Sequence, residues 1–293
     1  MNVAFCINRL GLVGLGVTIS SLISNCSNTE KLTLWFLCAD ITDKDKNHLR
    51  QLLASEEFCG DFHLIDFNPF SIFGSFPSLH GDWTPYGRLL LVDYISEDQV
   101  LYLDSDLVVE LDVLELEHFN FKDHVLAAVG GGKFKYALGS KFYVNTLGFN
   151  PEWEYFNSGV LLLNLCKWRE KQVKEICIEI ANQSSAYLPS HDQSLLNIYC
   201  AGKFAKLPSS FNCEWFPDKP KPEISERMIL HFVGSPKPWD PFGFIIHKGY
   251  QTWQKYLNKE WASAFIRVTP AYLGRAWKIR RSYIRCMRNK IVN

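Results

Sequence analysis

The stretch Val100-Leu101-Tyr102-Leu103-Asp104-Ser105-Asp106-Leu107-Val108-Val109 constrains the fold more than any other. A run this apolar reads as a strand buried on both faces, which belongs to a parallel sheet covered by helices. Asp104 and Asp106 interrupt it, and an unpaired buried charge is costly, so the two carboxylates need partners or solvent. Spaced two apart, they point the same way on an extended strand. Alone, the commoner reading of Asp-x-Asp is a turn that caps a helix or faces water. The alternative is a pair of hard oxygen ligands for Mg²⁺ or Mn²⁺, which complete their shells with water and substrate phosphates.

The flanking chain alternates strand and helix signals. Val3–Ile7 reads as a short buried strand. Gly11, Gly14 and Gly16 follow it, then a helical segment from Val17 to Ile23. Strand, glycine loop and helix together offer backbone N–H groups to a phosphate. The glycine order is the reverse of the dinucleotide fingerprint, so an NAD-binding reading is a minor alternative, and the glycines can equally serve close helix packing. Further strands are expected at Leu32–Leu37, Phe62–Phe67, Val125–Val129 and Tyr155–Asn164, and a helix over Asp43–Ala54. This is the pattern of an α/β protein with a mostly parallel central sheet and ligands at the strand C-termini.

Asn68–Asp82 reads as a long loop. Thr84 and Pro85 open a helix as N-cap and first residue, with Arg88 one turn in. Trp168–Gln183 reads as one amphipathic helix with Trp168, Ile176 and Ile180 buried. Ser190 and Gln193 have capping-box spacing at the start of another helix. Asn157 and Ser158 sit at the mouth of a strand, where they can meet sugar hydroxyls or close a turn. His231, flanked by apolar residues, alone reads as a core histidine. Gly234 permits close backbone approach, and Lys237 supplies a charge for phosphate.

With 47% apolar and 21% charged residues, a substantial core can form. Zero formal net charge argues against a general nucleic-acid binder. Nine scattered cysteines without Cys-x-x-Cys indicate neither a zinc site nor a disulfide framework, but reduced thiols in a cytoplasmic protein. Arg9 interrupts the N-terminal apolar run, which reads as a first strand rather than an export signal. No apolar run is long enough for a membrane span.

Four segments taken together resemble glycosyltransferase family 8, the retaining transferases of the nucleotide-diphospho-sugar (GT-A) fold. They are Leu101-Tyr102-Leu103-Asp104-Ser105-Asp106, Phe156-Asn157-Ser158-Gly159-Val160, the run from His191 to Asn197, and His231-Phe232-Val233-Gly234-Ser235-Pro236-Lys237-Pro238-Trp239. The resemblance implies that Asp104, Asp106 and His231 ligate Mn²⁺ (or Mg²⁺) bridging the diphosphate of a UDP-sugar. Gly234 and Lys237 would hold the phosphates. Arg88, Ser105, Asn157 and Ser158 would line the donor, and Asp192 and Gln193 would act at the sugar carbon. The family commonly has an acidic residue, then an aromatic one, after the first strand. Here Asn8 and Gly11 stand there, so Asn8 remains to meet the uracil and no aromatic stack is expected.

From Arg267 onward the chain has eight Lys or Arg and no acid: Arg267, Arg275, Lys278, Arg280, Arg281, Arg285, Arg288 and Lys290. Aromatic and aliphatic residues are interleaved, which suits an anionic membrane surface. Similar tails in bacterial family members imply a saccharide or lipid-linked acceptor of lipopolysaccharide type. The expected organisation is a catalytic GT-A domain over 1–245 and a helical, basic extension over 246–293, peripheral on the cytoplasmic face of a membrane.

Overall fold

The computed structural model describes residues 1–78, 81–184 and 187–292. Twelve strands are formed among them: β1 Asn2–Asn8, β2 Thr33–Ala39, β3 Asp61–Asp66, β4 Gln99–Leu103, β5 Leu107–Val109, β6 Leu126–Val129, β7 Gly132–Lys133, β8 Glu154–Tyr155, β9 Val160–Asn164, β10 Ala205–Leu207, β11 Cys213–Glu214 and β12 Ile229–His231. The helices on their flanks are α1 Leu12–Asn25, α2 Asp43–Ser55, α3 Pro69–Phe73, α4 Leu91–Tyr94, α5 Leu165–Glu170, α6 Val173–Gln183 and α7 His191–Cys200. At the C-terminal end follow α8 Gly243–Ile246, α9 Tyr250–Lys255, α10 Lys259–Phe265, α11 Pro270–Lys278 and α12 Arg280–Val292.

The main sheet has the order β10-β6-β9-β4-β1-β2-β3. Its pairs are parallel except those made by β9, which is antiparallel to both neighbours. The chain winds outward from β1 through β2 to β3, then returns to lay β4 on the other side of β1. That reversal leaves a crevice at the C-terminal ends of β1 and β4, where open α/β sheets bind ligands. Alternation along the strands feeds two cores. Val3, Phe5, Leu101 and Leu103 pack with α1 and α2. Ala4, Val100 and Tyr102 pack on the other face with Trp168, Leu195 and Leu196.

A small second sheet, β11-β12-β5, stands beyond the tip of β4. Antiparallel pairing sets His231 opposite Leu107. A residue at the end of β12 is thereby brought beside one that precedes β5.

Local expectations are corrected in several places. Gly14 and Gly16 lie inside α1, not in a phosphate loop. A Cβ on Gly14 would lie 2.4 Å from the Ser105 backbone oxygen, and one on Gly16 would lie 2.3 Å or less from the Trp261 ring. Their smallness serves close packing, which removes the basis for an NAD site. Residues 84–90 form a 3-10 helix whose N-cap is Trp83 rather than Thr84. The long amphipathic helix is broken between α5 and α6, where Gln172 is left-handed. This break resets the buried stripe to Val173, Cys177 and Ala181 and leaves Ile176 exposed. The Asn68–Asp82 segment contains α3, and its Leu79 and His80 lie outside the described residues.

The C-terminal region is helical, as expected, and its first part joins the main body. Trp261 is buried in the same core as β1, and Trp253 packs with Leu230 and Phe232. Ile279, Tyr283 and Cys286 of the last two helical segments pack on Ile246. The nine cysteines form no disulfide. No helix among the described residues is long and apolar enough to cross a membrane.

His247 is buried beside Trp215 and Phe232, and its Nδ1 accepts from the Gly249 N–H at 2.9 Å. Burial, with Lys237 adding to it, lowers its pKa to about 3. The folded pKa lies below the unfolded value, so the unfolded chain binds the extra proton. Stability is complete above pH 6.5 and falls as the pH drops toward 3. Urea unfolding should show a loss of about 2 kcal/mol between pH 7.5 and pH 5 from this group. His247→Asn, which cannot titrate, should flatten that part of the profile; an unchanged slope would exclude His247 as its source.

Candidate active site

The crevice is lined from β1, the turn after β4, the N-terminal end of α7 and the loop after β12. Asp104 leaves β4 with its backbone N–H donating to the Gly159 carbonyl at 2.8 Å. The strand therefore ends in a fixed turn, and Asp104 and Asp106 project into the crevice half-buried. One oxygen each of Asp104 and Asp106 and a ring nitrogen of His231 lie within 4.8 Å of one another.

Arg88 is the hub on one side. It is 2% exposed, and its guanidinium lies 4.0 Å over the Tyr102 ring. Nη1 donates to the Ser158 carbonyl at 2.7 Å, while Nη2 donates to the Tyr102 hydroxyl at 3.0 Å and to Asp104 Oδ1 at 3.2 Å. The Tyr102 hydroxyl donates to the same Asp104 oxygen at 2.7 Å. Nε stands 3.1 Å from Asp192 Oδ2 but gives its hydrogen to the Pro85 carbonyl, leaving Oδ2 buried without a hydrogen bond. Burial pushes the Asp192 carboxyl upward, and Arg88 opposes the shift. Burial also works against the Arg88 charge, but Asp192, Tyr102 and Asp104 outweigh it and the net shift is upward. Arg88 is thus a fixed cation that orders three neighbours rather than a free anion receptor.

Asp106 is held on the other side. Lys237 Nζ donates to its Oδ2 at 2.6 Å and also to the Phe232 carbonyl. Burial pushes the Asp106 carboxyl up, yet Lys237 and His231 hold it well below the usual carboxylate range. His231 Nδ1 lies 2.9 Å from Asn212 Oδ1. Asn212 uses its amide nitrogen toward Asn157, so its oxygen must accept, and Nδ1 carries the hydrogen. In the neutral ring Nε2 then presents a lone pair to Asp106 Oδ1 at 3.3 Å, an oxygen buried with no hydrogen-bond partner. Two lone pairs face each other unless a proton or cation lies between. Burial pulls the His231 pKa down, but Asp106 outweighs it and the net shift is upward. Two carboxylates, an imidazole oriented by a second residue and an orphaned buried oxygen fit Mn²⁺ or Mg²⁺.

The other expected residues are distributed around this centre. Ser158 is buried, and its N–H and hydroxyl donate to Gln193 Oε1 at 3.0 and 3.3 Å. Gln193 Nε2 in turn donates to the Tyr155 hydroxyl at 2.9 Å. No capping box forms at Ser190, because the chain enters α7 through a left-handed His191 and Ser190 makes no side-chain cap. Gln193 is thereby released to Ser158. Asn157 accepts from the Gly159 N–H at 2.8 Å and donates to Glu214 at 2.9 Å. Ser105 lies between the two aspartates, its backbone against α1 at Gly14. Gly234 has φ +75°, a conformation that favours glycine.

Asn8 is more engaged than expected. Its oxygen caps the Gly11 N–H at 3.0 Å, and its amide donates to Asp82 Oδ2 at 2.7 Å. Sequence reasoning missed Asp82, Tyr102, Tyr155, Asn212 and Asp240. Only Tyr102 carried a signal, since it shares the strand face of Asp104. Arg88→Met should lower stability by about 3–5 kcal/mol in urea unfolding, because it strands the buried Asp192. A loss below about 1 kcal/mol would show that Asp192 is not paired with it.

Comparison with known proteins is consistent over nearly the whole chain. The sequence profile described as Glycosyl transferase family 8 matches residues 2–242. Lipopolysaccharide 1,3-galactosyltransferase of Salmonella typhimurium is 28% identical over 256 residues, 83% of this chain and 74% of that one. Lipopolysaccharide 1,2-glucosyltransferase of Escherichia coli is 28% identical over 287 residues, 92% and 78%. Other relatives are longer: the chain spans 25% of a Streptococcus gordonii glycosyl transferase, Gly, at 29% identity over 184 residues. It likewise spans 58% of glycosyltransferase GlyE of Streptococcus pneumoniae. Among solved structures, galactosyltransferase LgtC in complex with donor and acceptor sugar analogs superimposes with a TM-score of 0.71 at 25% identity. That match covers 94% of this chain and 100% of LgtC. The shared GT-A fold and a profile match across residues 2–242 establish that this chain belongs to glycosyl transferase family 8.

Proposed function

We propose that the protein is a metal-dependent retaining hexosyltransferase that moves glucose or galactose from a UDP-sugar to a saccharide acceptor of the lipopolysaccharide type. The observation that carries this reading is the convergence of Asp104, Asp106 and His231 around the unbonded Asp106 oxygen. The sugars named for the Salmonella and Escherichia coli relatives support the donor and acceptor classes.

In this reading Asp104, Asp106 and His231 hold Mn²⁺ or Mg²⁺. When bound, the ion supplies Lewis-acid stabilisation of a departing diphosphate. Lys237 and the backbone at Gly234 take the phosphate oxygens. As the bond from the sugar C1 to the diphosphate breaks, negative charge grows on the β-phosphate, and Lys237 opposes it from a fixed position. Positive charge grows at C1, as in glycoside hydrolysis. Asp192, whose Oδ2 is turned to Arg88, acts at that carbon in this reading. Gln193, tied to Ser158 and Tyr155, shapes the same wall. Arg88 keeps Asp104 and Asp192 apart and ordered. Ser105, Asn157 and Ser158 line the donor, and Asn8 with Asp82 meets the base. The acceptor oxygen bonds to C1 with retention as the bond from C1 to the diphosphate breaks, and the acceptor's hydroxyl proton passes to the departing β-phosphate oxygen.

Residues 1–245 form the catalytic unit in this reading, and 246–293 form an extension that meets an anionic membrane surface on the cytoplasmic side. Leu273, Trp277, Ile284 and Met287 are exposed there, and Arg280 stacks over Trp277 at 4.4 Å. The Lys290 side chain lies outside the described residues.

Two measurements test the proposal. Asp106→Asn should abolish Mn²⁺-dependent hydrolysis of UDP-glucose or UDP-galactose; wild-type-like turnover would remove the metal assignment. A wild-type protein that binds UDP-sugars but never turns them over would indicate a noncatalytic sugar-nucleotide-binding protein. Reversing Lys278, Arg280 and Arg281 to Glu should weaken sedimentation with anionic liposomes, at about 1 kcal/mol per residue. Unchanged sedimentation would dissociate the extension from membrane contact.

A further inference from the structure

The loop that carries Gly234 and Lys237 does not stand alone. Asp240 is 7% exposed, and its Oδ2 accepts from the Lys237 backbone N–H at 2.7 Å. Both its oxygens also face one residue of α11: Arg275 Nε donates to Oδ1 at 3.1 Å and Nη2 to Oδ2 at 3.3 Å. The same Nη2 reaches the Ser235 hydroxyl at 3.3 Å. A guanidinium thus brackets Ser235 and, through Asp240, Lys237. Two-point pairing of this kind fixes orientation as well as distance.

The helix that follows the one carrying Arg275, α12, is anchored beside the same loop. The Tyr283 hydroxyl donates to the Pro241 carbonyl, one residue past Asp240. Ile279, Tyr283 and Cys286 close over Ile246 of α8. A Cβ at Gly243, the first residue of α8, would lie 2.2 Å from the Pro238 carbonyl oxygen. The segment from Ser235 to Gly243 is held on one side by α8 and on the other by α11 and α12.

We propose that Arg275 is a positioning residue for the donor diphosphate: acting through Asp240 and Ser235, it fixes the backbone that aims Lys237. Part of the basic extension then serves the donor site directly, apart from any surface it meets. This inference rests on the reading of Lys237 as a phosphate ligand. It predicts a division among the basic residues. Arg275 touches the loop. Arg281 is exposed and carries the same charge, whereas among the described residues the hydrogen bonds from the extension's basic residues to the loop come from Arg275 and, at 3.5 Å to the Ser235 carbonyl, from Arg285.

The test uses the full chain and three variants: Arg275→Met, Arg275→Lys and Arg281→Met. Two readouts are taken with Mn²⁺ present: the KM and kcat of UDP-sugar hydrolysis, and UDP affinity by titration calorimetry. Thermal unfolding of each variant is recorded without ligand. Arg275→Met should raise the donor KM and weaken UDP binding about tenfold, the scale of a misplaced binding group, with a smaller change in kcat. Arg275→Lys should recover part of the loss. Arg281→Met should match the wild type. Asp240→Asn, which keeps an acceptor for the Lys237 N–H but loses the charge, should shift KM in the same direction as Arg275→Met. A lowered unfolding temperature with unchanged KM and UDP affinity would make the clamp merely structural and overturn the proposal. Equal effects at Arg275 and Arg281 would reduce it to a general charge effect and also overturn it. A wild type without Mn²⁺-dependent turnover or UDP binding would overturn the functional reading itself, and this inference with it.

Discussion

The pairing of β12 against β5 is the constraint on which the candidate site depends. Three residues on each strand suffice to set His231 opposite Leu107, one position beyond Asp106. The imidazole and the carboxylate are 125 residues apart in sequence, and no local preference brings them together. A slip of one residue in this short ladder would turn His231 to the other face. The register is held by burial: Val108 and Leu230 are completely enclosed, and Asn212, next to β11, seats the ring nitrogen. The geometry of the Asp104, Asp106 and His231 cluster is a property of sheet register before it is a property of side chains.

Charge within the crevice is arranged in two compartments. Arg88 governs Asp104 and Asp192, whereas Lys237 governs Asp106. Each carboxylate faces a cation inside the protein, Arg88 serving two of them, which offsets the repulsion among the three. Each compartment also keeps one buried oxygen unbonded, on Asp192 and on Asp106. Buried polar atoms left in this state are uncommon in folded proteins.

Much of this was legible in sequence because the relevant signals are local or regular. The apolar run ending at Asp104 dictated a buried strand, and the alternation of helix and strand dictated a mostly parallel sheet. The grouping of Asp104, Asp106, His231 and Lys237 came from motif resemblance, not from periodicity. What escaped had a common physical origin: it depended on a partner distant in sequence or on a single left-handed residue. Gly14 and Gly16 looked like a phosphate loop because their packing partners, Ser105 and Trp261, lie far along the chain. Ser190 and Gln193 had the spacing of a cap, but His191 in the left-handed region changes how the helix is entered. Ile176 and Ile180 fitted a helical stripe that Gln172 interrupts. Asp240 carried no mark of its partner, since Arg275 reads in sequence as one more basic residue of the tail.

The contact between Gly16 and Trp261 has a consequence for how the protein is made. The indole of Trp261 donates to the Leu12 carbonyl and covers the small face of the first helix. During synthesis that face leaves the ribosome well before the residue that covers it, which lies 245 residues further along the chain. Until then α1, with the aspartate turn packed against it, presents an open side to solvent and to other chains. Vectorial synthesis therefore delivers the first strands of the sheet before the indole that closes over its first helix.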